Sequence, residues 1–108
     1  MQFKQWLEMS RQKGRPLPEV DPQYQGRNAS IYRGAVATEA SFKPMDYVTL
    51  SYKFAKDHAA HVAAVEGEDA HVLRARVPAD QLFEAYNPGE YFYDGPVIAG
   101  EPVFTVRS

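Results

Sequence analysis

One segment of this chain, residues 52–65, carries a helical pattern long enough for a complete element, and short β-forming segments stand on both sides of it. Its small apolar residues recur at helical spacing, namely Ala55, Ala59, Val62 and Ala63. A stripe of this kind is typical of a helix that packs on a sheet. Ser51 directly precedes the segment, and serine is a preferred N-cap. The pattern predicts an α+β domain with one central helix.

The predicted strands are short segments that are rich in β-branched and aromatic residues or that alternate in polarity. They are 29–34, 46–50, 71–77, 90–93, 96–98 and 103–107. In 71–77 the apolar residues fall on one face while Arg74 and Arg76 fall on the other, which predicts a half-buried strand. Short strands joined by turns predict a small mixed or antiparallel sheet beneath the helix.

The first 28 residues differ from the rest in pattern. Apolar residues at helical spacing in 2–13 predict a short amphipathic N-terminal helix that ends at Gly14. Residues 15–28 contain three prolines and a glycine, so we expect an extended connector that buries no face. The sequence therefore predicts one domain over 1–108, in which 1–28 form the N-terminal helix and connector and 29–108 form the core.

Composition narrows the class of protein. A chain of 108 residues with 44% hydrophobic content suits one core, and the absence of cysteine excludes a disulfide framework and a thiolate metal site. We expect a cytoplasmic protein with no membrane span. Residues 1–33 carry six Lys/Arg against three Asp/Glu, whereas 34–108 carry six against eleven. Because small domains often show such asymmetry, nucleic acid is the less favoured partner.

Three polar residues stand at the ends of predicted strands: Arg33, Ser51 and Glu90. Strand ends hold side chains rigidly at the rim of a sheet, so these residues can converge on one ligand. Taken singly, each has an ordinary explanation as a solvated arginine, a helix cap and a surface carboxylate. Their joint order is the more informative feature.

Three segments around these residues occur in the order strand–Arg–Gly, strand–Ser–helix and Glu-led strand. They are Ile31-Tyr32-Arg33-Gly34, Val48-Thr49-Leu50-Ser51 and Gly89-Glu90-Tyr91-Phe92-Tyr93-Asp94-Gly95-Pro96. This arrangement resembles the ADP-ribosyltransferase family of the Arg-Ser-Glu type over roughly residues 29 to 107. The resemblance implies an ADP-ribosyltransferase-like core and a glycosyltransferase reaction that consumes NAD.

The resemblance implies a role in NAD binding or catalysis for each of the matching residues. Arg33 would hold an NAD phosphate, and the Gly34 backbone would bond the nicotinamide amide. Ser51 would orient Glu90, which would bind a ribose hydroxyl and stabilise the oxocarbenium-like transition state as nicotinamide leaves. These roles agree with the chemistry of guanidinium forks and carboxylates.

Two aromatic residues at the start of the predicted helix, Phe54 or Tyr52, would stack on the nicotinamide ring. The resemblance further implies transfer of ADP-ribose to a macromolecular acceptor, with a host protein as the first expectation, or to water. A chain of this size fits a minimal catalytic core such as bacteriophages or their hosts carry. No metal is expected at the site.

The sequence also departs from the family pattern. Protein-modifying branches place an acceptor-contacting Glu or Gln two residues before the catalytic glutamate, where this chain has Pro88, and Thr49-Leu50-Ser51 lacks the usual middle hydroxyl. Two alternatives therefore stay open. One is a catalytically inactive binding module, such as a phage protein that blocks a host defence complex. The other is a domain that binds nucleotides or RNA ends through Arg33.

Two other groups of polar residues could in principle form a site. His58 and His61 with Asp57, and His71 nearby in sequence, are too few for a structural zinc site, which needs about four ligands of fixed geometry. A glycosidase-like pair drawn from Asp80, Glu84 and Glu90 has nothing in the sequence to fix its carboxyl separation. Solvated acids in turns are the simpler interpretation.

Overall fold

The computed structural model describes residues 14–108, so the helix predicted at 2–13 lies outside the described residues. Its main feature is a six-stranded sheet with the order β5-β6-β3-β1-β4-β8, in which every pairing is antiparallel. The strands are β1 Asn28–Val36, β2 Ser41–Phe42, β3 Tyr47–Thr49, β4 Ala70–Pro78, β5 Leu82–Glu84, β6 Glu90–Tyr93, β7 Ile98–Ala99 and β8 Glu101–Val106. The helices are α1 Leu17–Val20, α2 Tyr52–Glu66 and two 3₁₀ turns at Pro22–Tyr24 and Ala79–Gln81. The predicted α+β class and antiparallel sheet are confirmed.

Helix α2 begins and ends on the signals that the sequence carries. The Ser51 hydroxyl accepts a hydrogen bond from the Phe54 amide at 3.1 Å, and the left-handed Gly67 at φ +67° closes the helix. The predicted stripe faces the sheet, since Ala55, Ala59 and Ala63 are buried. Small side chains let the helix axis come close to β1 and β4.

Strand β4 confirms the predicted alternation in its second half. Leu73 and Val77 are buried in the core, whereas Arg74 and Arg76 are exposed. The first half, from Ala70 to Leu73, is buried on both faces because α2 covers one face and the main core covers the other. Alternation is lost wherever a second layer packs on the outer face.

The prediction that 15–28 bury no face was wrong. Helix α1 lies in this segment, and its Leu17 is only 1% exposed in the core. Pro16 and Pro18 occupy the N-cap and the first turn, where a helix needs no proline N–H. The prolines therefore start a short helix instead of preventing one.

The C-terminal part of the sheet also differs from the prediction. Segment 96–98 does not join the main sheet, because β7 pairs with β2 in a separate two-stranded ribbon. Strand β2 has only two residues and left no periodic signal in the sequence. The strand predicted at 46–50 is shorter, at Tyr47–Thr49.

Within residues 14–108, no helix has the length and apolar character needed to cross a membrane.

Candidate functional site

A cleft of about 390 Å³ opens where strands β1 and β3 diverge. Strand β1 pairs with β4 at nine register positions, but in the described residues it pairs with β3 only at Tyr32–Thr49. Past that pair the two strands separate towards the C-terminal end of β1. The lining residues are Tyr32, Arg33, Gly34, Met45, Asp46, Tyr47, Val48, Thr49, Phe54, Ala55, His58, Tyr86, Asn87 and Glu90.

The register of the sheet directs the Gly34 backbone into this opening. The Ala37 amide bonds the Asp69 carbonyl and the Ala79 amide bonds the Arg27 carbonyl, so the odd-numbered residues of β1 bond to β4. Even-numbered residues then turn their N–H and C=O towards β3. Because β3 has diverged at this point, the amide and carbonyl of Gly34 face the cleft.

Arg33 lies in the cleft wall with its charge compensated. Its Nη1 donates to Glu39 Oε2 at 2.6 Å and lies 3.8 Å from Asp46 Oδ2, and its side chain is 23% exposed. Glu39 is itself fixed, since His71 Nε2 donates to its backbone carbonyl. A ligand phosphate that approaches Arg33 must therefore compete with Glu39.

Glu90 occupies the first position of β6, across from Thr49 on β3. Thr49 in turn lies across from Tyr32, so these three residues form one register row on the same face of the sheet. The Asn87 amide donates to Glu90 Oε2 at 3.2 Å and orients the carboxylate. Glu90 and Arg33 both line the cleft, but Arg33 follows Tyr32 along β1, so alternation directs its side chain to the opposite face of the sheet from Glu90.

Ser51 lies beside the cleft and not among its lining residues. It lines an adjoining depression with Pro88 and Gly89, and this depression shares Thr49 and Phe54 with the cleft. Its hydroxyl already accepts the α2 cap bond. The structure thus brings Arg33 and Glu90 to one cleft and holds Ser51 at its edge.

The two candidate stacking residues have different surroundings. Phe54 is 50% exposed and lines the cleft. Tyr52 is absent from the cleft lining and instead packs against Tyr32, with ring centroids 5.5 Å apart, and against Phe104 at 6.5 Å. Among the two, the cleft therefore presents Phe54 to a planar ligand.

Several cleft residues were not predicted. Asp46 contacts Arg33 from the turn before β3, and Tyr47 and Tyr86 both pack against Phe92 near the mouth of the cleft. Met45, in the same turn, has a left-handed backbone at φ +74°, which is uncommon for a residue with a side chain. The positions of these residues in the sequence do not predict that they line one cleft, although the sequence does show that the chain is rich in tyrosine.

The other constellations are not assembled as ligand sets. His58 lines the cleft, whereas His71 is buried against Glu39, and no group of three His, Asp or Glu in residues 14–108 is placed to hold a metal ion. Glu84 bonds Arg15, and these hydrogen bonds lower the pKa of the Glu84 carboxyl. Glu84 is thus occupied by an ion pair at the sheet edge.

Comparison with protein-family models, with curated proteins and with solved structures gives no match to this chain.

Proposed function

We propose that this protein binds NAD and breaks its nicotinamide–ribose bond as an ADP-ribosyltransferase. The observation that carries the proposal is that Arg33, Gly34 and Glu90 all line one cleft. Glu90 stands far from Arg33 and Gly34 in the sequence, and it comes near them because β6, β3 and β1 are neighbours in the sheet. That neighbourhood is what the resemblance requires.

The charge and shape of the cleft suit the nicotinamide end of NAD. The pyridinium ring carries a positive charge, and the cleft offers the carboxylates of Asp46 and Glu90 together with the exposed ring of Phe54. An aromatic face and a nearby carboxylate both attract a planar cation. The outward-facing amide and carbonyl of Gly34 match the carboxamide of the ring.

The proposed reaction needs no metal. The bond between ribose C1′ and the nicotinamide nitrogen breaks, its electron pair leaves with neutral nicotinamide, and the sugar becomes an oxocarbenium-like cation. Glu90 stabilises that developing charge more than it stabilises ground-state NAD, which is the differential binding that accelerates a reaction. The acceptor then attacks C1′ and loses its proton.

The direct test is to incubate the pure full chain with NAD and measure free nicotinamide, alone and with host lysate. Release above the uncatalysed rate supports the proposal. No release under either condition would leave the second candidate, a binding module without catalysis.

That second candidate rests on two specific observations. The Arg33 guanidinium is already engaged by Glu39, and Pro88 stands where the family that the sequence resembles has acceptor-contacting residues. A protein that only binds a partner needs neither an arginine that is free to bind a phosphate nor a residue that contacts an acceptor. Saturable NAD binding without nicotinamide release would favour this candidate.

NAD is expected to raise the melting temperature of the protein, because a ligand that binds only the native state stabilises it. Arg33→Ala removes a charge-assisted contact worth about 1.5–3 kcal/mol, so it should weaken NAD binding by roughly 10- to 100-fold. Differential scanning fluorimetry with increasing NAD measures the shift. Arg107→Ala changes an exposed arginine directly after β8, outside the cleft lining, and is the matched control. An unchanged shift in Arg33→Ala would place Arg33 outside the site.

Glu39→Gln is expected to tighten NAD binding by about two- to fivefold, because it removes the carboxylate that competes for Arg33. The pair is partly exposed, so its worth is limited to about 1 kcal/mol or less. Isothermal titration of NAD into both proteins measures the change. Weaker binding in Glu39→Gln would show that Glu39 positions Arg33 for the ligand instead of competing with it.

A further inference from the structure

One ionisable side chain of the cleft, His58, takes no part in the bond cleavage described above. It lies on α2 four residues after Phe54, so both side chains are on the same face of the helix and line the cleft. The backbones of Ala55 and Ala59 lie directly against Gly34, and Phe54 and His58 each precede one of these alanines. His58 is therefore placed beside the Gly34 backbone, one helical turn from Phe54.

The imidazole of His58 is exposed and has no polar partner among the described residues. Within residues 14–108 it makes no hydrogen bond or ion pair, and the ring contact found there is with His61, at 6.5 Å between centroids. A neutral imidazole carries a lone pair that accepts a proton, and imidazole ordinarily changes its charge between pH 5 and 8. His58 can therefore take a proton from a bound group at neutral pH.

The proposed reaction releases one proton that must go to some group in the cleft or to solvent. The hydroxyl or amine of the acceptor loses this proton as its bond to C1′ forms, whereas nicotinamide leaves as a neutral molecule without taking it. The ionisable groups of the described residues that line the cleft are Arg33, Asp46, Tyr47, His58, Tyr86 and Glu90. Guanidinium and phenol groups keep their protons at neutral pH, so the two carboxylates and His58 are the groups that can receive it.

Both carboxylates have other roles. The Asp46 carboxylate accepts a hydrogen bond from the Lys43 amide at 2.9 Å and lies 3.8 Å from the Arg33 guanidinium. Glu90 is assigned to the sugar cation, and on taking a proton it would lose the charge that stabilises this cation. Among the cleft groups of the described residues, His58 is therefore the base that can act without cost to another step.

We propose that His58 is the general base that takes the proton of the acceptor as the acceptor attacks C1′. This inference rests on the proposed function and names the residue for its last step. The acceptor oxygen or nitrogen bonds to C1′, the electrons of the C1′–nitrogen bond leave with nicotinamide, and the proton passes to an imidazole nitrogen. The imidazolium then releases the proton to solvent, to which the side chain is exposed. Because only neutral imidazole can act, the reaction rate should rise with pH as the imidazole loses its proton.

The test measures nicotinamide release by the pure full chain between about pH 5.5 and 8.5, alone and with host lysate. In this range carboxylates stay charged and phenols stay neutral, so imidazole dominates the pH dependence. We expect the parent rate to rise with pH, and we expect His58→Gln to be about 100-fold slower at neutral pH and to lose the rise. The affinity for NAD should stay the same, because the base acts on the acceptor.

His61→Gln is the matched control, because this exposed histidine lies on the same helix outside the cleft lining. It should keep the parent rate and the parent pH profile. Added imidazole should restore part of the rate of His58→Ala, since it supplies the missing base in the vacated space, and should leave His61→Ala unchanged. A purely structural role of His58 would instead lower the melting temperature and would give no rescue by imidazole.

The outcomes separate this inference from the function on which it rests. Release by His58→Gln at the parent rate, an equal loss in His61→Gln, or a slow His58→Ala that imidazole does not rescue would overturn the role of His58 and leave the proposed function standing. No release by the parent protein at any pH, with or without lysate, would overturn both.

Discussion

Replacing Glu90 by glutamine is expected to reduce nicotinamide release by about 100- to 1000-fold while NAD binding changes little. The two side chains are nearly isosteric, but only the carboxylate carries the charge that stabilises the cationic sugar. Glutamine still bonds a ribose hydroxyl in the ground state, so affinity is kept and rate is lost. Single-turnover release of nicotinamide, together with titration of NAD, separates the two quantities.

Glu90→Gln removes the negative charge and keeps the hydrogen bond that Glu90 makes in the structure. Its carboxylate accepts from the Asn87 amide, and a glutamine oxygen accepts the same bond. Glu66→Gln at the end of α2 makes the same chemical change on an exposed side chain and should release nicotinamide at the parent rate. Undiminished release by Glu90→Gln would rule out the proposed mechanism.

Ser51→Ala is a milder companion variant. The Ser51 hydroxyl caps α2, so its loss should cost about 1 kcal/mol of stability. Because Ser51 lines the depression beside the cleft, a change in rate beyond this loss of stability would show that it also orients Glu90. A thermal melt and a release assay on the same preparation distinguish the two effects.

The elements that the sequence predicts well are those with local signals. Helix α2 has an N-cap at Ser51, a stripe of alanines and a closing glycine, and each signal acts within one or two turns. Strand β6 lies between a turn and Asp94-Gly95, and its bounds at Glu90–Tyr93 agree with the prediction. Local periodicity and capping are properties of short stretches, so a single sequence reveals them.

The cleft depends on properties that no short stretch carries. Its opening exists because β1 and β3 pair at one position and then separate. The partners of Arg33, Glu39 and Asp46, come from two different connections. Sequence order therefore indicated Arg33 and Glu90 but not the carboxylates that compete for Arg33.

Two mistakes have the same physical origin. The prolines predict no buried structure before β1, yet Leu17 follows Pro16 into a helical turn and is buried in the core. Segment 96–98 was assigned to the main sheet, yet it finds its partner in Ser41–Phe42. In both cases a tertiary contact determined the structure of a segment whose local sequence pattern was ambiguous.

Gly34→Ala is expected to lower the free energy of unfolding by about 1–3 kcal/mol, the usual range for overpacking a filled core. A Cβ atom at this position would lie 2.7 Å from the backbone nitrogen of Ala59 and 2.8 Å from the carbonyl oxygen of Ala55. Both contacts are with helix backbone, which cannot turn aside as a side chain can. The helix must therefore shift away from β1.

A competing effect makes the sign of this prediction informative. Removing a glycine from a strand restricts the unfolded chain and ordinarily stabilises a protein by about 0.4–1 kcal/mol. The steric contact with α2 should exceed that gain, and Gly34→Val should be worse than Gly34→Ala. Urea unfolding with an unchanged m-value measures the loss. Hydrogen exchange should locate the loss of stability, with protection falling first along the α2 stripe of Ala55, Ala59 and Ala63.

Gly26→Ala is the control, because no atom lies within 4 Å of its new Cβ, and it should leave the relative protection of α2 unchanged. A stabilised Gly34→Ala would mean that α2 does not pack on β1 at the distance described, and the cleft wall that depends on this packing would have to be redrawn.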